Sequence, residues 1–166
     1  MTDKSGIEKI IESLSELKLE SVSDKPFKLS TEEIINLLEL DCGKRKDIES
    51  LLYENINIDA DSDLGIEFVE INLADLVGMN RAERNSNWLD CLFKLHKHTC
   101  YKFYESREKF QLLMSSYTED NDEIPRVIEL NDKYYIHENG KHRLTIAKCL
   151  KLAKASVLVS KAKVNS

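Results

Sequence analysis

The sequence predicts an α+β fold, a small mixed sheet surrounded by helices and preceded by a helical N-terminal extension. Three observations carry this. Apolar residues recur at helical spacing behind two capping-box patterns early in the chain. Two short runs of strand formers flank the turn dipeptide Asn131-Asp132, and a third run, Ala155–Ser160, follows a helical segment. The alternation of strand and helix periods within one stretch of chain requires helices packed on a sheet rather than a pure bundle or sandwich.

The elements follow in order. Ser5-x-x-Glu8 has the capping-box form, and Ile7, Ile10, Ile11, Leu14 and Leu17 then share one helical face opposite Glu8, Glu12 and Glu16. Such a stripe docks on the domain by default, self-association being the alternative. Pro26 and its polar neighbours separate this helix from a second, opened by Ser30-x-x-Glu33, carrying Ile34, Ile35, Leu37, Leu38 and Leu40, and stopping near Gly43. Ile48, Leu51 and Leu52 predict a third helix over Lys44–Ile56, and Asp59–Asp63 reads as a solvated acidic loop without the ligand order or glycine of an EF-hand. The first strand is expected at Ile66–Ile71, with Asn72–Asn87 as a turn of helix and a polar loop. Trp88–Met114 is the longest helical stretch, in one or two pieces, and Thr118–Glu123 is a polar linker before Pro125. Val127–Leu130 and Tyr134–Ile136 pair as a hairpin. The domain expectation is a helical extension over residues 1–60 packed on a core at 61–166, with a helical insert at about 88–116.

A chain of 166 residues, 42% hydrophobic, is long enough for one core and short for two. The 24 Lys and Arg against 30 Asp and Glu leave a charge of -6, which opposes general attraction to duplex DNA or an anionic membrane, so a phosphate site has to be local. Met1–Gly6 lacks the basic-then-apolar order of a signal peptide, no stretch is apolar enough for a bilayer span, and Cys42, Cys91, Cys100 and Cys149 have no framework spacing. A cytoplasmic protein with reduced thiols is expected.

The chemistry concentrates at Glu138–Arg143. After the hairpin, Asn139-Gly140 offers a turn, and Lys141-His142-Arg143 lead into Leu144, Ala147 and Leu150 at helical spacing. A helix N-terminus carries unpaired N–H groups and a positive dipole end. Three basic-capable side chains there work against the dipole, and a bound anion would remove the conflict. The alternative is an ordinary turn with solvated charges.

Tyr135-Ile136-His137-Glu138-Asn139-Gly140-Lys141-His142-Arg143-Leu144-Thr145-Ile146-Ala147-Lys148, followed by Leu150-Lys151-Leu152 and Val157-Leu158-Val159, resembles the core motif of the ParB/sulfiredoxin-like superfamily. In that family a hairpin ends in Asp-Gly or a similar turn, Gly-x-[His/Arg]-Arg opens a helix, and a Leu-Gly-Leu-like turn leads to a strand. The resemblance implies a ParB/sulfiredoxin-like core and a turn that binds nucleotide phosphates. It makes Gly140, Lys141, His142 and Arg143 phosphate-binding candidates, with Glu138 and His142 as catalytic candidates and ATP or CTP with Mg²⁺ as ligand, for hydrolysis or transfer of a phosphate. Lys141 stands where sulfiredoxin has its reactive cysteine, so sulfinic acid reduction by that route is not expected. ParB proteins that bind CTP usually have Glu and two Arg after the Gly, and a DNA-reading helical domain after the core, so partition-site recognition is not expected either. A non-catalytic nucleic-acid or protein interaction module, and a ParB-like nuclease, remain as alternatives.

Other constellations are weaker. Cys91, His96, His98 and Cys100 fall on two different faces of a helix and so do not converge on one zinc ion, and no metal site is expected. Arg81, Arg84, Arg107 and Lys109 are candidates to complete an anion cleft, while Lys44-Arg45-Lys46 is too short a run to indicate nucleic acid.

Overall fold

The computed structural model describes residues 30–95 and 106–163. The Ile7–Leu17 stripe and His96, His98 and Cys100 lie outside the described residues.

Helix α1 (Thr31–Leu38) starts where the capping box places it, with Glu33 N donating to Ser30 Oγ and Ser30 N donating to Glu33 Oε1, each at 3.1 Å. Such a reciprocal cap contributes about 1 kcal/mol. The helix ends before Gly43, because Glu39 itself takes the left-handed cap position (φ 56°) and Asp41 caps a new helix by accepting from Lys44 N at 2.8 Å. Gly43 therefore lies inside α2 (Cys42–Ser50) rather than at a helix stop. Nor does the helix expected over Lys44–Ile56 reach that far. Leu51 turns extended and Glu54–Ile56 becomes strand β1. The Asn55 side chain explains the switch: its amide nitrogen donates to Asn85 O at 2.8 Å and its oxygen accepts from Asn85 N at 3.0 Å, holding this strand to a distant loop.

After a 3₁₀ turn at Ser62–Leu64 comes β2 (Ile66–Asn72), as expected. Asn72–Asn87 is different from its reading: a single 3₁₀ turn, Leu73–Asp75, leads directly into β3 (Leu76–Asn80), whose five residues are all buried. A strand covered on both faces shows no polar alternation, and Gly78 further weakened its signal. Helices α3 (Trp88–Phe93) and α4 (Arg107–Met114) divide the long helical stretch. The hairpin of β4 (Arg126–Leu130) and β5 (Lys133–Ile136) turns through Asn131 and Asp132, both at positive φ (53° and 64°), the type I′ signature. Helix α5 (Lys141–Cys149) and strand β6 (Lys154–Lys161) complete the described chain.

The six strands form one mixed sheet in the order β1-β3-β5-β4-β6-β2. Pairs β1/β3, β3/β5 and β4/β6 are parallel, and β4/β5 and β2/β6 are antiparallel. The main core joins Ile34, Leu38 and Ile48 of the first helices to Trp88, Leu92, Phe110 and Met114 and to Leu144, Ile146 and Ala147 of α5, against Ile71, Met79, Val127, Ile136 and Val157 of the sheet. Trp88 is wholly buried, donates its indole N–H to Leu52 O at 2.9 Å and meets Tyr53 edge-on with centroids 5.2 Å apart. It thereby ties α3 to the chain entering β1. A smaller cluster of Val77, Ile128, Tyr135 and Ala162, with Ile56, Ile58 and Leu130, packs separately.

Helix α5 carries a buried amine. Lys148 is 7% exposed, donates to Leu73 O at 2.7 Å and lies 5.8 Å over the Trp88 ring. Burial pushes its pKa down to about 8 from 10.5. Below pH 8 the amine is charged in both folded and unfolded chains and the cost of burying the charge is fully present. As pH rises from 8 towards 10.5 the folded protein sheds the proton first, so stability should rise, by an amount of order 1 kcal/mol. Urea unfolding at pH 8 and pH 9.5 should show that rise in the wild type and not in Lys148→Met; equal slopes would contradict it.

Candidate functional site

Strands β3 and β5 run parallel, so their carboxyl ends, Asn80 and Ile136, open on the same side of the sheet, and β4, antiparallel to β5, begins there with Arg126. The loop His137–Gly140 leaves this edge and enters α5. The sequence thus brings Asn80, Arg81, Arg126, His137, Glu138 and the start of α5 into one neighbourhood.

Gly140 is the N-cap of α5, with φ 91° and ψ 12°, and supplies no side-chain cap. The first intrahelical bond is Leu144 N to Gly140 O at 2.8 Å, so the N–H groups of the first turn have no helical partner. The loop is fastened to the segment before β4: Arg126 N donates to Asn139 O and His137 N to Arg126 O, both at 2.9 Å, and Asn139 Nδ2 donates to Ile124 O at 3.1 Å. Pro125 lies against Gly140 so closely that an added Cβ would fall 2.5 Å from the proline Cβ. Only glycine fits this position.

The cations are held rather than free. Lys141, with its side chain 11% exposed, is ion-paired to Glu83 from the loop after β3. Arg143 donates to Tyr117 Oη at 2.6 Å, with its guanidinium carbon 5.1 Å from the ring centroid. Burial raises the pKa of that tyrosine, and Arg143 acts against the rise. His142 is half-buried in the same turn. The conflict between Lys141 and the helix dipole is thus relieved in the folded chain by a carboxylate, Glu83, that periodicity gave no reason to single out.

Glu138 is exposed and sits between two basic groups, Arg126 Nη1 at 3.7 Å and His137 Nε2 at 3.4 Å. Arg81 Nη2 donates to Glu138 O at 3.3 Å, while Arg81 Nε is buried without a hydrogen-bond partner among the described residues. Asn80 orients the imidazole. Its amide nitrogen donates to Ile58 O at 2.9 Å, its oxygen accepts from Ile58 N at 2.7 Å, and the nitrogen also lies 3.0 Å from His137 Nδ1. With Nδ1 accepting, the ring proton sits on Nε2 and faces Glu138. Burial lowers the His137 pKa first of all; Glu138 opposes this, and Arg81 and Arg126 add to it. A neutral imidazole beside an exposed carboxylate is a competent proton-handling pair.

Of the expected residues, Glu138, Gly140, Lys141, His142 and Arg143 therefore share one loop and helix start, and Arg81 joins them. Arg107 does not: it donates to the carbonyls of Leu150 (2.8 Å) and Lys151 at the opposite end of α5. Asn80, Glu83, Tyr117, Arg126 and His137 were missed. Arg126 and His137 had a signal, since both border the hairpin strands; Glu83 and Tyr117 are placed only by tertiary packing.

Arg81 and Arg126 lie beside Glu138, Lys141 pairs with Glu83, and Arg143 rests on Tyr117, where Glu123 also acts. Among the described residues no three His, Cys, Asp or Glu side chains cluster as a metal site, and Cys91 and Cys149 are buried free thiols. Phosphate fits this donor set. No helix of the described residues is long and apolar enough to cross a membrane. Comparison with protein-family models, with curated proteins and with solved structures finds no match to the chain.

Proposed function

We propose that this chain is a ParB/sulfiredoxin-like protein that holds the phosphates of a nucleotide at the start of α5 and hydrolyses or transfers one of them. The observation that carries this reading is Gly140 in the left-handed conformation, opening an uncapped helix beside Lys141 and Arg143 at the ends of two parallel strands. The first-turn N–H groups, which lack helical partners, and the Lys141 amine supply donors of the right sign. Arg81 and Arg126 both contact Glu138 in the loop before that turn. His142 contacts phosphate, and Glu138 takes the proton from an attacking water or hydroxyl. Mg²⁺ bound with a nucleotide needs only one or two protein carboxylates and would screen phosphate charge here, with Glu138 the best-placed group to hold it.

Thermal unfolding with ATP, CTP, GTP and UTP, each with and without Mg²⁺, tests the reading. One nucleotide at about a hundred times its Kd should stabilise by ~2.7 kcal/mol, a rise of roughly 5–10 °C. Lys141→Met and Arg143→Lys should lower that ligand-induced shift at least several-fold, whatever they do to the melting point of the free protein. Glu138→Gln should keep the shift seen without Mg²⁺ and lose phosphate release. No shift with any nucleotide would end the proposal. A shift without turnover, accompanied by salt-sensitive binding to single-stranded DNA, would favour the interaction module instead.

A further inference from the structure

Among the described residues Lys148 is the only buried side chain that carries a charge. It sits in the last turn of α5, at the other end of that helix from Gly140. A buried lysine usually takes a carboxylate partner. This one has no ion-pair partner among the described residues: its one hydrogen bond there goes to a backbone carbonyl, Leu73 O, at 2.7 Å, and the Trp88 ring lies 5.8 Å away. An ammonium group has three N–H donors, and this carbonyl takes one of them.

The surroundings favour the neutral amine. Burial is the main cause of the fall in its pKa to about 8; Lys133 adds to the fall, and Cys149 and Asp75 oppose it. At pH 8 about half of these amines are therefore uncharged, against less than about 1% for a lysine in water. An uncharged, desolvated lysine is a nucleophile towards carbonyl carbon. There is also space beside it. Lys148 and Leu73, the acceptor of its hydrogen bond, line a cavity of about 210 Å³ with Leu51, Ala74, Lys151 and Leu152. The wall is aliphatic apart from the two lysines. Lys151 is half exposed and paired to Asp47 at 3.3 Å, and Ala74 is exposed in the 3₁₀ turn before β3, so these two border the opening. A cavity of this size takes a chain of a few carbons, and its wall offers little to a strongly hydrated group.

We propose that Lys148 and this cavity form a second site, independent of phosphate binding, that holds a short aliphatic aldehyde or ketone as an imine. The neutral Nζ adds to the carbonyl carbon while the π pair of the C=O bond moves to oxygen, and a proton passes from nitrogen to that oxygen to give the carbinolamine. The nitrogen lone pair then forms the C=N bond and expels the hydroxyl, which leaves as water with a proton from solvent. One water is released per carbonyl bound, and nothing is oxidised or reduced. The protonated imine keeps a single N–H, which matches the single acceptor, Leu73 O, better than the three donors of the ammonium do.

The probe is butanal at pH 8 with cyanoborohydride, which reduces an imine to a stable secondary amine, on the full chain at low total labelling. Peptide mass spectrometry then reads the label on each lysine. Lys148 should carry at least tenfold more than Lys133 or Lys154, which are both half exposed. Ala74→Phe, at an exposed position bordering the opening, should lower the Lys148 label at least fivefold, with the labels on Lys133 and Lys154 and the far-UV circular dichroism unchanged. Glycolaldehyde, short but strongly hydrated, should give a ratio of Lys148 to Lys133 label at least threefold below that for butanal. A smaller excess at Lys148, a label indifferent to Ala74→Phe, or equal ratios for the two aldehydes would each overturn the proposal.

Discussion

Gly78→Ala should destabilise the protein by about 3 kcal/mol or more, or prevent it from folding. A methyl group at this position would fall 1.9 Å from Glu54 O and 2.9 Å from both Glu54 C and Tyr135 Cδ2. The first two are backbone atoms of the paired strand and cannot rotate away. β1 would have to leave β3, breaking the Glu54↔Gly78 pairing, the Tyr135 Oη to Glu54 Oε2 bond of 2.9 Å and the Asn55 link to Asn85. Urea unfolding followed by Trp88 fluorescence reads this directly, because Trp88 is fixed to Leu52 just before β1. An unchanged midpoint would mean that β1 is not held against Gly78.

Gly140→Ala should cost about 2–3 kcal/mol and also weaken phosphate binding. Two terms contribute: a left-handed backbone angle of 91°, worth ~1–2 kcal/mol for a residue with a side chain, and a Cβ placed 2.5 Å from Pro125 Cβ and 2.9 Å from Pro125 Cα. A double-mutant cycle separates them. Adding Pro125→Gly to Gly140→Ala should recover the part of the steric cost owed to the proline side chain and leave the conformational part. Additive costs would show that the proline is not the obstacle. Gly140→Ala should also reduce the nucleotide-induced rise in melting temperature more than Lys141→Met does, since it displaces the whole first turn.

Much of the fold was legible because its signals are local. The Ser30–Glu33 box, the Asn131-Asp132 turn, the start of α5 and the strands Ile66–Asn72 and Lys154–Lys161 each depend on residues a few positions apart, and each is where the sequence puts it within a residue or two. β1 and β3 were not legible. Glu54–Ile56 is too short to display alternation and is fixed by Asn85, some thirty positions away, while Leu76–Asn80 is buried throughout and interrupted by a glycine whose reason is the approach of another strand. The site divides in the same way. The loop from Glu138 to Arg143 is contiguous and could be read, whereas Glu83, Tyr117 and Asn80 reach it only once the sheet is assembled.

The strand order also sets a timetable for synthesis. Among the described strands β2 has only β6 as a neighbour, and β6 begins roughly eighty residues after β2 ends. At ordinary translation rates β2 waits on the order of ten seconds outside the ribosome before its partner is made. During that interval Ile66, Phe68, Val69 and Ile71 form a strand-prone, apolar run in an incomplete chain, the kind of segment that seeds aggregation. Glu67 and Glu70 within the run, with the aspartates ahead of it, act as gatekeepers that keep nascent chains apart until Lys154–Lys161 emerges to close the sheet.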